Sequence, residues 1–362
     1  MTKTSTTILV APLNWGLGHA TRCIPIIKAL AAQNCRIILA CDGRALSLLQ
    51  KEFPQLESIQ LKSYEIRYQK KGNFVRTVLS QVPKILKSIR QEHQALQQLV
   101  EEYQIDIVLS DNRYGLWSPK TYNIFMSHQL FIRMPKGLRF LEPLVFKVNH
   151  RYIDKFDECW IPDFTNEFSL AGDLSNREAL DPNRYHFIGP LSRMQLKEVP
   201  LVWDLIIVLS GPEPQRSIFE EKLIQQAQQI KQKILLVRGV TETNNTQVIN
   251  EWLTIKDYLT SADLNKAILS AKLVLARSGY STIMDLYRLK KPAILVPTPG
   301  QTEQEYLGSY LMQKKHFFCA YQEPFKLSEV LKNVESFNFA IEAREKADNH
   351  LNKAIQRILQ KI

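Results

Sequence analysis

The chain has 362 residues, of which 45% are hydrophobic and 23% are charged, and these are ordinary values for a globular protein. This length favours two domains of common size, and no apolar run approaches the length of a membrane span. The net charge of +11 is compatible with nucleic acid, an anionic membrane surface or a phosphorylated substrate, but no nucleic-acid-binding motif accompanies it. We therefore predict no nucleic-acid partner.

The cysteines and the N-terminal segment indicate a cytoplasmic protein. The five cysteines are scattered and form no Cys-x-x-Cys pair, so we predict neither a metal site nor a disulfide framework. The segment MTKTSTTILVAPLNW lacks the apolar region and small-residue cleavage site of a signal peptide. Its apolar residues instead begin a strand.

The first half opens with a strand, a glycine-containing loop, a helix and a second strand. We predict the first strand at Thr7–Leu13, the helix at Ala20–Ala32 and the second strand at Ile37–Ala40. The first loop reads Asn-Trp-Gly-Leu-Gly-His, and Gly16 and Gly18 allow its backbone to pass close to a ligand. No third glycine follows at the spacing of the dinucleotide fingerprint.

A basic and apolar stretch follows at Lys62–Arg90. Its lysines and arginines alternate with aromatic and aliphatic residues, and only Glu65 opposes them. Such a surface suits an anionic membrane, although a solvated helix whose apolar side packs on the sheet has the same pattern. We predict peripheral contact with the inner face of the cytoplasmic membrane. Further basic residues among apolar ones extend the surface: Arg133, Lys136, Arg139, Lys147 and Arg151.

Polar side chains follow three of the predicted strands of the first half. Two of these strands are Ile105–Leu109 and Ile124–Ser127. Because ligands bind beyond the carboxyl ends of parallel strands, we predict that these side chains face an acceptor. The acceptor-side candidates are Asn14, Asn112, His128 and Gln129, together with Asp111, which is an alternative general base or a plain turn residue.

The chain then restarts like a second domain. A Gly189-Pro190 element precedes a polar linker, and a new strand, loop and helix follow from Leu205. We predict domains at residues 1–195 and 196–340, with a C-terminal helix over residues 341–362 that could cross back onto the first domain. The apolar spacing allows this last helix to begin as early as Phe339.

The most informative stretch runs from Leu273 to Tyr306. It predicts a strand, a loop, a helix and a second strand, which together form a parallel βαβ unit. Ser278-Gly279 opens the helix and suits a diphosphate, because free N–H groups and the positive end of the helix dipole lie there. The alternative readings are a simple helix cap at this loop and a solvated charge at Asp285.

This stretch resembles the donor-binding region of glycosyltransferase family 28. The similarity rests on Arg-Ser-Gly-x-x-Thr-x-x-Asp from Arg277, on Pro-Ala-x-x-Val-Pro from Pro292, and on Gln304-Glu305-Tyr306. The resemblance implies an α/β protein of the GT-B fold, with two Rossmann-like domains whose parallel sheets face a central cleft. Asp285 stands where the family more often has Glu, and Gln304-Glu305 stands where it has a Gln-Gln pair.

The resemblance also implies roles for particular residues. The first glycine loop ends in Gly-His, as in the family, so His19 becomes the candidate base, with phosphate binding or helix capping as its alternative role. Asp285 would hold the donor ribose, and Gln304 and Glu305 the donor sugar. The remaining donor-side candidates are Gly16, Gly18, Arg216, Leu259, Thr260, Arg277, Ser278 and Gly279.

The function that the resemblance implies is transfer of a sugar from a nucleotide-sugar donor, most plausibly a UDP-sugar, to a hydroxyl acceptor. The family mechanism is inverting, and the absence of an Asp-x-Asp motif agrees with a reaction that needs neither metal nor cofactor. The basic surface favours a lipid-linked or envelope-glycan acceptor. Two alternatives remain open, namely a UDP-N-acetylglucosamine 2-epimerase and a GT-B scaffold without turnover.

Overall fold

The computed structural model describes residues 5–64, 74–177, 180–240, 243–341 and 347–362. The chain divides into two compact units. The first comprises Met1–Leu191 and Arg344–Ile362, and the second comprises Ser192–Ala343. The change between units therefore falls at Leu191, four residues before the position that we predicted from the linker.

The first unit is built on one sheet of seven strands. They are β1 (Thr7–Pro12), β2 (Arg36–Cys41), β3 (Glu57–Gln60), β4 (Ile107–Asp111), β5 (Tyr122–Met126), β6 (Glu158–Ile161) and β7 (Tyr185–Phe187). All the pairings are parallel, in the order β3-β2-β1-β4-β5-β6-β7. Every residue of β1 and β4 is buried, as expected for central parallel strands with helices on both faces. The helices are α1 (Leu17–Ala31), α2 (Gly43–Glu52), α3 (Phe74–Tyr103) and α4 (Glu142–Ile153).

The second unit repeats this plan with a second sheet. Its strands are β8 (Trp203–Val208), β9 (Ile234–Val237), β10 (Thr246–Val248), β11 (Leu253–Lys256), β12 (Ala271–Ala276), β13 (Ala293–Leu295) and β14 (Phe318–Cys319). The order is β10-β11-β9-β8-β12-β13-β14, and only β10 pairs antiparallel with its neighbour. The helices are α5 (Gln215–Ala227), α6 (Ser261–Leu269), α7 (Tyr280–Arg288), α8 (Thr302–Gln313) and α9 (Leu327–Glu335).

The predicted βαβ unit is confirmed. β12 and β13 pair in parallel and α7 connects them, with α8 beginning at Thr302 as expected. The expected long helix from Phe339 is wrong at its start, because Phe339 and the residues around it form no helix. The C-terminal helix in the described residues is α10, Ala347–Leu359.

A buried carboxylate attaches α10 to the sheet of the first unit. Glu158 on β6 accepts hydrogen bonds from Arg357 at 2.6 Å and Lys361 at 2.9 Å, and from Tyr122 at 2.6 Å. Burial alone would raise the pKa of Glu158, but these hydrogen bonds outweigh it and lower the pKa to about 2. The apolar side of α10 is buried as well, and the helix packs against α1. The C-terminal helix thus belongs physically to the first unit.

We expect Glu158→Gln to destabilise the first unit by about 3 kcal/mol, since it leaves two cations facing a buried site without a countercharge. In the wild type this contribution is complete above pH 4.5 and is lost as the pH falls towards 2. Urea unfolding at pH 7 measures the change. Glu101→Gln is the control, because Glu101 and its partner Lys120 are both largely exposed and solvent weakens their attraction, so the loss should be much smaller. Equal losses in the two variants would refute the assignment.

Candidate functional site

In the first unit, polar side chains from three elements meet beside β4. His19 lies in the first turn of α1, Asp111 ends β4, and His128 follows β5. Arg22, one turn after His19, connects them. Its Nε donates to Asp111 Oδ2 at 2.7 Å, its Nη2 donates to Oδ1, and its Nη1 lies 3.1 Å from His128 Nδ1. The predicted catalytic pair and one acceptor-side candidate are therefore neighbours.

His19 and Asp111 form a direct contact, with 3.1 Å between His19 Nδ1 and Asp111 Oδ1. The Asp111 side chain is fully buried, whereas that of His19 is 14% exposed. Burial would raise the pKa of Asp111, but Arg22 and His19 outweigh it and hold the pKa at about 2. Because this carboxylate is shielded from solvent and paired with Arg22, the geometry favours His19 over Asp111 as the general base, and the base role stays a prediction. Asp111 lies beside Nδ1 of His19, where it can orient the ring.

The other predicted residues of the first unit have mixed surroundings. Asn14 accepts a hydrogen bond of 3.4 Å from the Ala45 N–H near the start of α2, and its contact with an acceptor stays a prediction. Asn112 has a positive φ of 58° and is partly exposed at the turn after β4, and Gln129 is also partly exposed. Gly16 has a φ of 84°, and a Cβ there would meet nothing within 4 Å. The ligand contacts expected of Asn112, Gln129, Gly16 and Gly18 stay predictions.

In the second unit, three loops meet at the carboxyl ends of the central strands. Gly279 is the N-cap of α7, has no side-chain cap, and leaves open space where a Cβ would stand. Gly211, after β8, has a φ of 110°, and a Cβ there would lie 3.7 Å from Thr298 Oγ1 in the loop after β13. Thr298 Oγ1 is buried without a hydrogen-bond partner among the described residues. The buried Thr298 hydroxyl, close to the N-terminus of α7, is therefore a polar group of the kind that an anion can engage.

Asp285 on α7 is held by the start of the second unit. Ser192 donates a hydrogen bond of 2.6 Å to Asp285 Oδ1, and Arg193 lies close enough to lower the pKa of the carboxyl. Burial is the larger effect, however, and raises the pKa of Asp285 to about 6. The carboxylate is thus strongly desolvated while remaining partly accessible. A desolvated carboxylate gains from hydrogen-bond donors such as ribose hydroxyls, so the position fits the predicted role.

Arg277, predicted as a donor ligand, is instead used within the protein. Its guanidinium donates to the carbonyls of Val296, Pro297 and Gln215, and to the Gln322 side chain at 2.8 Å. It also stacks over the Phe219 ring at 4.3 Å. Because the side chain is almost fully buried and its donors bind these protein groups, this arginine holds the loops in place. Contact of Arg277 with the donor stays a prediction.

The second predicted arginine, Arg216, is also occupied by protein groups. Two carboxylates bind its guanidinium, Glu213 and Glu220, and its Nη1 also donates to the Arg238 carbonyl. A phosphate contact would require it to leave both carboxylates. Donor contact by Arg216 therefore stays a prediction that would need these ion pairs to break.

The motif after β13 organises its own loop. The Gln304 side chain accepts from the Thr298 N–H at 2.9 Å and donates to Gln301, while Ser278 donates to the Gln304 carbonyl. Glu305 accepts from the Gly300 N–H at 3.1 Å and is partly exposed. The side chains of Ser278 and Gln304 therefore support the loop, and sugar contact by Glu305 stays a prediction.

Leu259 and Thr260, the donor-side candidates whose backbone the family resemblance would place against the nucleobase, lie just before α6. Thr260 is the N-cap of this helix and accepts the Asp263 N–H at 3.2 Å, so its side chain has a capping role. Arg193 Nη1 donates to Ser261 in the first turn of the same helix at 2.8 Å. Backbone contact with a nucleobase by Leu259 and Thr260 stays a prediction.

Sequence reasoning missed Arg22, Ser192 and Thr298. For Arg22 a signal existed, because it follows His19 by three residues and so lies on the same helix face. No sequence signal pointed to Ser192 or Thr298, because their roles depend on contacts that only the fold creates. The described residues contain no group of three or more His, Cys, Asp or Glu side chains that could hold a metal ion.

Two family descriptions match the chain. Residues 206–361 match the glycosyltransferase family 28 C-terminal domain, and residues 7–130 match glycosyl transferase family 1. An uncharacterized glycosyltransferase of Methanosarcina mazei is 24% identical over 314 residues, covering 80% of this chain and 79% of the relative. A second, of Methanosarcina acetivorans, is 22% identical and covers 96% of both chains.

Solved structures show the same fold at low identity. The glycotransferase of kitacinnamycin has a TM-score of 0.63 at 15% identity, covering 99% of this chain and 96% of that one. MurG of Acinetobacter baumannii has a TM-score of 0.57 at 13% identity, covering 99% and 100%. Spinosyn rhamnosyltransferase SpnG, complexed with thymidine diphosphate, has a TM-score of 0.63 at 13% identity, covering 98% and 100%. The two parallel sheets and these neighbours establish the predicted GT-B fold with two Rossmann-like domains.

Proposed function

Because the chain is a GT-B glycosyltransferase with a family 28 C-terminal domain, we propose that it transfers a sugar from a nucleotide-sugar, specifically a UDP-sugar, to a hydroxyl acceptor. The main support is the meeting of three loops at Gly211, Gly279 and Thr298, where no side chain caps the N-terminus of α7 and the Thr298 hydroxyl is buried without a partner among the described residues. This arrangement suits a diphosphate, and SpnG, a neighbour in fold, is known with a nucleoside diphosphate bound.

The donor and the acceptor would use different units. On the second unit, the α7 N-terminus would receive the diphosphate and Asp285 the ribose hydroxyls. On the first unit, the Nδ1–H tautomer of His19 would donate to Asp111 and leave Nε2 free to accept a proton. The acceptor hydroxyl would lose this proton as its oxygen attacks the anomeric carbon, and the bond from that carbon to the diphosphate would break. Attack opposite the leaving group inverts the configuration.

The leaving diphosphate gains negative charge, which the positive end of the α7 helix dipole would stabilise. This proposal uses no metal ion and no cofactor. It gives the helix dipole the larger part, since Arg216 and Arg277 are engaged by protein groups.

Thermal unfolding with a panel of nucleotides and nucleotide-sugars tests the proposal. We expect one UDP-sugar and UDP itself to raise the melting temperature, and the responding sugar then serves in acceptor screens. Incubation of that donor alone, followed by product analysis, separates transfer from epimerisation, which would give an epimer without acceptor. If no nucleotide stabilises the protein, the donor site is refuted and the scaffold alternative is favoured.

We further propose that the acceptor is lipid-linked and that the first unit contacts an anionic membrane through one face. No helix in the described ranges is both long and apolar enough to cross a membrane. In and before α4, however, Phe140 is 74% exposed, Leu144 60% and Val148 50%, at helical spacing. Arg139, Lys147 and Arg151 are exposed beside them. We call these six residues the α4 face.

The charge around the α4 face supports an anionic surface as its occupant. The only acidic residue between positions 136 and 151 is Glu142, which is buried and paired with Arg177. Exposed apolar side chains flanked by cations are typical of interfacial helices. Of the basic stretch predicted for the same role, residues 65–73 lie outside the described residues, and Lys84, Lys87 and Arg90 are exposed on α3.

We expect the double variant Phe140→Ser/Leu144→Ser to lower the partition coefficient onto anionic vesicles by about 100-fold, since each side chain contributes about 1.5 kcal/mol when buried in the interface. Sedimentation with phosphatidylglycerol-containing vesicles measures this. Val248→Ser is the matched control, because Val248 is 73% exposed on β10 in the other unit and should have no effect. Unchanged sedimentation of the double variant, or none with the wild type, would reject the α4 face.

A further inference from the structure

Arg22 is a buried cation that the proposed reaction does not yet use. Its side chain is only 2% exposed, and its donors reach both oxygens of Asp111 and the ring of His128. Its Nη2 also lies 2.9 Å from His19 Nδ1, the same nitrogen that contacts Asp111. We call Arg22, His19, Asp111 and His128 the Arg22 cluster.

The contacts of Arg22 have two consequences for His19. The guanidinium of Arg22 binds both carboxylate oxygens of Asp111 in a bidentate contact, which we call the fork. Oδ1 therefore stays in position to accept a hydrogen bond from His19 Nδ1. The same guanidinium is so close to the ring that protonated His19 would place two cations 2.9 Å apart. A like charge at this distance opposes protonation of the imidazole.

We propose that Arg22 is a positioning residue for His19, which holds Asp111 in place behind the ring and keeps the imidazole uncharged, and so sets the acid limit of the transfer reaction. This inference rests on the proposed role of His19 as the base. An isolated histidine and aspartate pair would behave in the opposite way, because an unneutralised carboxylate favours the imidazolium.

The groups around His19 together hold its pKa below the usual range. Burial lowers the pKa of His19 below 6.5, Asp111 opposes this, and Arg22 and then His128 add to the lowering. Cys23, on the same helix, lies 3.8 Å from Asp111 Oδ2, and burial keeps this thiol protonated by raising its pKa. Without the charge of Arg22, protonated His19 is no longer repelled by a neighbouring cation. The carboxylate of Asp111 is then no longer neutralised by Arg22, so it attracts protonated His19 more strongly. Both changes favour protonated His19.

Histidine titration by long-range proton–nitrogen NMR tests the inference without donor or acceptor. The resonance of His19 is assigned by its loss in His19→Gln. We expect a wild-type midpoint below 6.5, and in Arg22→Gln a midpoint higher by about one pH unit or more. Arg22→Lys keeps the charge but loses the fork, so its midpoint should stay near the wild-type value. Arg36→Gln removes an exposed arginine on β2 and should change nothing.

Three outcomes would overturn the inference. The first is a wild-type midpoint at or above 6.5, which needs no variant. The second is an unchanged midpoint in a folded Arg22→Gln, and the third is an Arg22→Lys midpoint that rises as far as that of Arg22→Gln. If the midpoints behave as expected but no nucleotide binds, the proposed sugar transfer fails and the electrostatic role of Arg22 stands. Once a donor is known, kcat/KM can be measured against pH. The pH at which it falls on the acid side should shift with the titration midpoint of His19.

Discussion

Replacing His19 by glutamine is expected to lower kcat by about 10²- to 10⁴-fold, the range attributed to general-base catalysis, while the free energy of unfolding stays nearly constant. The ring is partly exposed in the first turn of α1, so glutamine can occupy its place without leaving a buried charge unpaired. The measurement is turnover of the donor identified by thermal unfolding, together with urea unfolding of both proteins.

Asp111→Asn provides the contrast. It removes the charge that balances Arg22 in a buried site, so we expect a loss of about 3–5 kcal/mol in the free energy of unfolding, together with lower turnover. Together the two variants distinguish His19, which acts on the substrate, from Asp111, which supports His19. Full turnover in His19→Gln would contradict the base assignment, and an unchanged stability in Asp111→Asn would contradict the buried ion pair.

Asp285→Asn is expected to make the protein more stable at pH 7 and to abolish stabilisation by the donor nucleotide. Burial raises the pKa of Asp285 from 3.8 to about 6, so the ionised carboxylate destabilises the folded state. This cost is absent below pH 3.8, grows as the pH rises towards 6, and is complete at pH 7. The shift already includes the attraction to Arg193 and corresponds to at most about 3 kcal/mol, so we expect a gain of about 1–3 kcal/mol.

Urea unfolding at pH 7 and pH 4 measures this effect, which should shrink at the lower pH. Asparagine keeps an oxygen that can accept from Ser192, so that hydrogen bond need not be lost. Glu221→Gln, on the exposed side of α5 in the same unit, controls for loss of one negative charge. A less stable Asp285→Asn would show that Asp285 has a structural role. Undiminished stabilisation by nucleotide in this variant would place the ribose elsewhere.

Much of the architecture was accessible from local patterns. Apolar runs separated by glycine loops and helical spacing predicted two Rossmann-like units, and the stretch from Leu273 to Tyr306 predicted the βαβ unit that the structure contains. The physical reason is that strand and helix periodicities are local, and that parallel strands require a crossover between them. His19 and Asp111 were also found, since polar residues after buried strands or opening a helix are visible in sequence, and Asp285 was found through the family resemblance.

What each side chain contacts was decided only by the tertiary structure. Arg22 and Asp111 are 89 positions apart, Ser192 and Asp285 are 93 apart, and Arg357 and Glu158 are 199 apart. Strand order and helix packing bring such residues together, and local periodicity carries no information on these pairings. For this reason the sequence determined the fold class and the candidate residues of this protein. The tertiary structure decided that Arg216 and Arg277 serve protein groups, that Asp111 supports His19, and that α10 returns to the first unit.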